Sequence, residues 1–358
     1  MTSTAGVPRP ARANGEDSGD GAGHGTTGPP AGRQDAAVLD VDGVDGPPPP
    51  HQGSGVSPRS WVWAVPLLAL GGWFVGLLPW IVVRSSTSTF GSPWNPRNDL
   101  RSALLPFHHQ QLMTLLVVTV VAGALSGSAP WWSRDRLRRR WLLALLATLG
   151  AAAATWWAVT QTLGPDPDLG GSGRTADTVR LAFVALTVTG SLLGLLLGLG
   201  ASLGGPVLRT VAATPLVVVA AYWLGQLVTM ALADPARPQP LTWLPPTLAV
   251  LTGVGVGVLL AVLGVRPLWR LVGWVLALAL VILTPAALTA TRYVLESLRG
   301  TPVRSAELAE LVHDGLEVFR LSLTSTVTAF GPSAPTTTAL VAVVVGALGA
   351  VLLRRVRG

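Results

Sequence analysis

Long apolar runs alternate with short polar segments from Trp61 onward. Eight of these runs are long enough for membrane-spanning helices, which need roughly 20 residues to cross about 30 Å of hydrocarbon. They cover residues 61–83, 107–129, 141–163, 179–203, 208–232, 243–264, 269–291 and 336–353. The pattern predicts an all-α, polytopic integral membrane protein with about eight transmembrane helices.

Residues 1–58 differ from the rest of the chain because they are rich in Gly, Pro, Ala, Ser and Asp and have no periodic apolar positions. A segment of this composition cannot bury a core and is typical of disorder. The chain therefore divides into a disordered Pro/Gly-rich cytoplasmic tail, 1–58, and an eight-helix transmembrane domain, 59–358. The tail is either a docking arm for a partner or a solvated extension without a partner.

An amphipathic segment lies before the last apolar run, in residues 305–321. Its apolar residues recur at helical spacing, which predicts a helix with one apolar stripe. The stripe consists of Leu308, Leu311, Val312, Leu316 and Phe319. The acidic residues of this segment lie largely off the stripe, so we expect it to pack on the protein's own spans rather than on anionic lipid.

Composition supports the membrane class and narrows the chemistry. Hydrophobic residues make up 49% of the chain and charged residues only 12%, against about 25% in soluble domains. Cysteine is absent, which excludes a disulfide framework and a thiol nucleophile. The basic residues are all arginine, and the resulting pI of 11.3 is weak support for nucleic-acid binding, so we expect no nucleic-acid partner.

The arginines predict the orientation of the chain in the membrane. Eight spans place both termini on the same side as the arginine-dense stretch 134–140. Outside the tail, that side carries 12 arginines and one acid, whereas the other side carries 10 arginines and 10 acids in longer loops. The positive-inside rule makes the first side cytoplasmic. We therefore expect a multi-pass protein of the cell membrane with cytoplasmic N and C termini.

Small residues predict close contacts between helices. Gly190, Gly194 and Gly198 recur at four-residue spacing, which lets two helix backbones approach closely. Gly253, Gly255 and Gly257 alternate, so they do not share one helix face. A static seam within the chain is the simplest interpretation, and a sliding seam or a dimer contact is the alternative.

The polar residues of the spans concentrate toward the side opposite the arginine stretch. We expect them to line a vestibule that opens outward and holds an anionic headgroup at its rim. The candidate vestibule residues are Gln161, Tyr222, Gln226, Thr229, Arg180 and Arg292. Alternatively, such groups meet water or form hydrogen bonds between helices, each worth about 0.6 kcal/mol.

Several patterns argue against other chemistry. No Asp, Glu, Lys or His lies in the apolar middle of a span, which disfavours ion-coupled transport. His108 and His109 are adjacent and point about 100° apart on a helix, so with His313 they make a poor metal site. Asp99 lies between Arg97 and Arg101, as in an ordinary ion pair. We expect no metal, no cofactor and no catalytic residue.

Three classes of function remain open from the sequence. The first is a permease-like or lipid- or amphipath-handling protein, whose partners are the bilayer and a lipid or small amphipathic ligand. The second is a non-catalytic subunit or scaffold that binds other membrane proteins. The third is an enzyme of the outer face, which the absence of a catalytic motif disfavours. A cavity between the helices would distinguish the first class from the second.

Overall fold

The computed structural model describes residues 58–81, 105, 111–133, 139–163, 174–232, 241–297, 305–328 and 334–357. Most of the described chain is helical, and it contains no strand. The nine α-helices of 17 residues or more in this part are α1 (Pro58–Gly76), α2 (Leu112–Ser128), α3 (Arg140–Leu163), α4 (Arg174–Leu203), α5 (Pro206–Leu232), α6 (Leu244–Leu263), α7 (Arg270–Ser297), α8 (Ser305–Thr328) and α9 (Ala334–Arg357). The predicted tail lies outside the described residues, except for Pro58, which begins α1.

Seven helices of the described chain are long and apolar enough to cross a membrane, namely α2 to α7 and α9. This confirms the prediction of an all-α polytopic membrane protein. The remaining predicted span, 61–83, contains a shorter apolar helix, Trp63–Gly76. The described residues therefore contain seven long apolar helices, and the helix in the first predicted span, 61–83, is shorter than its apolar run.

Proline explains why the first predicted span is interrupted. The helix is broken at Leu77, whose backbone N–H donates to the Phe74 carbonyl at 3.0 Å, and it resumes at Leu78. Pro79 has no N–H to donate to the Val75 carbonyl, and it lies in the first turn of the resumed helix, where a proline is tolerated. A run of apolar residues alone does not reveal this break.

Helix α8 corresponds to the predicted amphipathic segment, but it continues past residue 321 to Thr328. It packs along α7 through Gly315, where an added Cβ would lie 2.6 Å from a methyl group of Val294. Val312 and Leu316 of the predicted stripe remain 57% and 62% exposed. The packed face is centred on Gly315, and Leu311 and Phe319 of the stripe, which lie four residues before and after it, are half-buried.

The seven long apolar helices and α1 form two groups of four. Helices α1 to α4 pack with one another, as do α5, α6, α7 and α9. Helix α2 is the most enclosed element, since 72% of its apolar window is buried, against 17% for α9. It contacts α5 and α7 of the second group and so lies at the centre of the bundle.

The glycine spacing produces one dense seam in each group. Between α2 and α4, a Cβ added at Gly194 would collide with the Val120 carbonyl oxygen. Between α6 and α9, a Cβ added at Gly253 or Gly257 would lie 2.6–2.7 Å from a valine Cβ of α9. Gly255 instead faces Val217 of α5, so the alternating glycines serve two different neighbours, as their spacing predicts.

A half-buried indole joins the two groups. The Trp223 Nε1–H of α5 donates to the Gly76 carbonyl of α1 at 2.7 Å. Trp223→Phe replaces the indole with a smaller aromatic ring and removes this bond, so we expect a loss of about 1 kcal/mol of stability, measured as a lower unfolding midpoint in detergent. Trp157→Phe is the matched control, since Trp157 is 55% exposed. Equal shifts in the two variants would show that the bond does not stabilise the junction.

Candidate ligand-binding cavity

A cavity of about 370 Å³ lies between α2 and the four helices of the second group. This volume is within the range of sites that take small molecules, about 300–1,000 Å³. Its lining residues are Met113 of α2; Val218, Ala221 and Tyr222 of α5; Pro245, Leu248, Ala249 and Thr252 of α6; Val281, Pro285, Leu288, Thr289 and Arg292 of α7; and Pro335 and Thr338 of α9. Most of them are apolar.

The lining places the cavity toward one end of the bundle, which we call the cavity end. Met113, Pro245 and Pro335 belong to the first turns of α2, α6 and α9, whereas Arg292 lies near the end of α7. Neither α2 nor α6 has a side-chain cap at its N terminus. The C terminus of α7 lies at the same end, and its partial negative charge opposes the partial positive charge of these N termini, so the side chains decide which charge the cavity end binds.

The threonines of the wall turn their donors away from the cavity. The hydroxyls of Thr252, Thr289 and Thr338 donate to the backbone carbonyls of Leu248, Pro285 and Ala249 at 2.7, 3.0 and 3.1 Å. Each oxygen keeps acceptor capacity, but its single hydrogen is used. The wall is therefore suited to an apolar chain, and recognition of a charged group falls to other side chains.

Arg292 is the cationic side chain of the lining. Its Nε–H donates to Glu296 Oε1 at 2.8 Å, and the two side chains are 60% and 40% exposed. Exposed ion pairs of this kind contribute only about 0–1 kcal/mol, so a ligand anion can compete with Glu296. The guanidinium has five N–H donors, and the ion pair with Glu296 uses the one on Nε. Arg292 can therefore bind an anion at the mouth of the cavity.

Two of the six candidate vestibule residues, Tyr222 and Arg292, line the cavity. Gln226 follows Tyr222 on the same helix but is not a lining residue, and its buried Oε1 makes no hydrogen bond within the described chain. Thr229 and Gln161 are exposed, and Arg180 is half-buried in α4. The structure thus brings together one tyrosine and one arginine of the predicted set and does not place the other four in the lining.

The residues that sequence reasoning missed are mainly apolar. Met113, Leu248, Val281 and Thr338 come from four helices, and only their packing brings them to one space. Prolines provide the one sequence signal, because Pro245, Pro285 and Pro335 all line the cavity. Pro285 lies inside α7, where a proline leaves a carbonyl without its donor, whereas Pro245 and Pro335 lie in the first turns of α6 and α9, where proline is tolerated.

The other candidate positions give no site in the described residues. Asp99, His108 and His109 lie outside them, and His313 is exposed on α8. Within the described ranges, no group of three or more His, Asp or Glu side chains has the arrangement of a metal site. The cavity is therefore the candidate functional site in the described part of the chain.

The helices and their apolar surfaces define an all-α polytopic membrane protein. In comparisons with known proteins, no family model, no curated protein sequence and no solved structure matches this chain.

Proposed function

We propose that the protein handles a lipid or a similar amphipathic molecule, holding the apolar part of this ligand in the cavity. The observation that carries the proposal is the cavity itself, which has an apolar wall and one cation at its mouth. An amphipath has this same distribution of chemistry, with a charged head and an apolar body. A permease-like or lipid-handling role therefore suits this geometry better than a role without a ligand.

The proposal includes a direction of access. The cavity end lies opposite the α2–α3 connection that carries the arginine stretch 134–140. With that stretch in the cytoplasm, the cavity opens toward the outer face of the cell membrane, and both termini are cytoplasmic. The ligand then enters from the outer leaflet or from the outside.

Single cysteines test this direction, because the chain contains no cysteine of its own. Gly205 lies exposed between α4 and α5, and Ser297 is exposed at the end of α7. In sealed right-side-out vesicles, we expect a membrane-impermeant maleimide to label Ser297→Cys at once and Gly205→Cys only after permeabilisation. Labelling in the reverse order would overturn the proposed orientation.

A cavity-filling substitution tests ligand binding. Ala221 lines the cavity, whereas its neighbour Ala220 is exposed on the surface of α5. Native mass spectrometry of the gently extracted protein should show a retained lipid or small amphipath. Ala221→Trp should remove that mass, because its indole occupies the cavity, and Ala220→Trp should keep it. Retention by both variants would show that the molecule binds elsewhere.

A second candidate function rests on α8. Val312, Leu316 and Leu321 of this helix are each more than half exposed, although α8 is not one of the long apolar helices. Exposed apolar side chains of this kind mark protein or membrane contacts. As a non-catalytic subunit, the chain would bind another membrane protein through this surface. A stoichiometric second polypeptide without a bound small molecule, in the same mass spectrum, would favour this function.

A further inference from the structure

The two groups of helices have the same internal arrangement. In the first group, α1 packs on α2 and α3, while α4 packs on α2 and α3, and α2 touches α3. The second group repeats these five contacts when α5, α6, α7 and α9 take the places of α1, α2, α3 and α4. The most extensive contact is the second helix with the fourth in both groups. Helix α8 is an addition between the third and fourth helices of the second group.

The sequences of the first helices agree with this correspondence. Pro66 lies inside α1 and Pro215 lies inside α5. Aligned on these prolines without gaps, residues 66–78 and 215–227 read PLLALGGWFVGLL and PLVVVAAYWLGQL. Proline, leucine and glycine recur at the same places, and a pair of aromatic residues follows a pair of small ones in both.

The glycine seams correspond as well. Gly123 and Gly127 of α2 face α4, and Gly253 and Gly257 of α6 face α9. The same number of residues separates Gly123 from Arg140 and Gly253 from Arg270, so the second and third helices align in one register. In that register, the buried positions Leu143, Ala147 and Ala151 of α3 match the buried positions Gly273, Ala277 and Val281 of α7.

The correspondence matters because the two groups differ at the cavity. Tyr222 corresponds to Trp73, which is fully buried in the first group. Trp73 packs there with Leu105 and Phe183 in one apolar cluster. That cluster also contains Val118 and Ala158, the counterparts of the cavity residues Leu248 and Leu288. The space that is a cavity in the second group is thus filled by side chains in the first.

The charged position differs in the same way. Arg292 corresponds to Thr162, whose Oγ1 accepts a hydrogen bond from the Leu105 backbone N–H at 3.1 Å. Thr162 therefore holds the residue that fills the first group, whereas Arg292 lies at the mouth of the second. The exchange of Thr for Arg places a cation where the first group has a structural hydrogen bond.

We propose that the chain is an internal duplication in which the first copy of a site is closed and the second is open, with residues 222 and 292 setting the ligand of the open copy. Arg292 selects an amphipath with an anionic headgroup, and Tyr222 leaves room for its chain. This proposal rests on the proposed function, which it narrows from amphipaths in general to anionic ones.

The test gives positions 292 and 222 the residue types of their counterparts in the first group, Thr162 and Trp73. The purified full-length chain, in nanodiscs, is titrated with phosphatidylglycerol and with phosphatidylcholine of the same acyl chains. Both lipids carry a phosphate, but only phosphatidylglycerol has a net negative charge, so the wild-type chain should bind it about tenfold more tightly, a difference of about 1.4 kcal/mol. Arg292→Thr should abolish this preference, because it weakens phosphatidylglycerol binding more than the binding of phosphatidylcholine, whose choline cation balances the phosphate. Tyr222→Trp, which enlarges the ring, should weaken both lipids.

Two further variants and one competitor test whether the lipid preference comes from Arg292 in the cavity. Arg180→Thr removes an arginine that does not line the cavity, so it should retain the full preference. Glu296→Gln removes the competing carboxylate of Arg292 and should strengthen phosphatidylglycerol binding. Inorganic phosphate should fail to displace the lipid, because the proposed ligand needs an apolar chain. Displacement by phosphate would overturn the amphipath and leave a simple anion site.

The two proposals fail in different ways. Equal affinity of the wild-type chain for both lipids, unaffected by Arg292→Thr, would overturn the anionic assignment and leave amphipath binding standing. No lipid binding that Ala221→Trp can remove would overturn the proposed function itself. An unchanged lipid affinity in Tyr222→Trp would overturn the claim that the size of this side chain separates the open copy from the closed one.

Discussion

Gly194→Leu is expected to prevent assembly of the first four helices and to leave little folded protein after extraction. A Cβ at this position already collides with the Val120 carbonyl oxygen of α2. Two backbones cannot separate without losing the packing that holds helices together in lipid, where no hydrophobic drive exists between them. Overpacking typically costs about 1–3 kcal/mol, and a leucine against a backbone atom lies at or beyond the upper end of that range.

The matched control for this variant is Gly71→Leu. Gly71 is exposed on α1, and an added Cβ there meets no atom within 4 Å. We expect it to give a wild-type yield of monodisperse protein in size-exclusion chromatography, whereas Gly194→Leu aggregates. Gly194→Ala should give an intermediate unfolding midpoint. A wild-type midpoint for Gly194→Leu would contradict the dense seam between α2 and α4.

Trp73→Ala is expected to lower stability by about 3–5 kcal/mol, the usual range for truncating a buried tryptophan to alanine. Trp73 is fully buried and packs edge-on against Phe74, with ring centroids 5.6 Å apart. Its indole N–H makes no hydrogen bond within the described chain, so the loss comes from packing alone. Trp73→Phe should therefore cost much less than Trp73→Ala.

Trp63→Ala is the comparison for Trp73→Ala, because Trp63 is 73% exposed on the same helix. Its unfolding midpoint should stay near that of the wild-type chain. Trp73→Ala also opens space in the closed copy of the site, so native mass spectrometry should show a second retained amphipath on part of the molecules that fold. Equal midpoints for the two alanine variants would mean that Trp73 does not fill the core of the first group.

The sequence predicts the helices well because a helix that crosses lipid needs an apolar run of about 20 residues, which is visible without knowledge of its neighbours. Seven of the eight runs are long apolar helices, and the exception depends on Pro79, a local feature inside an apolar run. The glycines of α4 likewise predict a seam, since four-residue spacing defines one helix face. What the spacing does not show is the partner helix, which only the packing of α2 against α4 reveals.

The site was only partly predictable for a related reason. Tyr222 and Arg292 stand out as polar residues near the ends of apolar helices, and both line the cavity. Gln161 and Thr229 have the same sequence signal but lie exposed. Polarity near a helix end does not tell a cavity from the water or lipid outside the bundle, because that depends on which face each helix turns inward.

The duplication was also difficult to see in the sequence. The connection between the first two helices of each group differs in length, and α8 is inserted in the second group only. A single alignment offset therefore does not relate the two groups. The small residues of the seams are also redistributed, since Gly194 and Gly198 of α4 have valine counterparts in α9. The correspondence becomes clear once the contacts between helices are compared.

A cryo-electron-microscopy map of the wild-type chain in nanodiscs of its own membrane lipids would test the central claim most directly. We predict elongated density in the cavity of the second group, with its polar end at Arg292 and its body along Tyr222 and Leu248. The equivalent space around Trp73 should contain protein side chains only. A second-group cavity closed by its own side chains, with no ligand density at Arg292, would contradict the account.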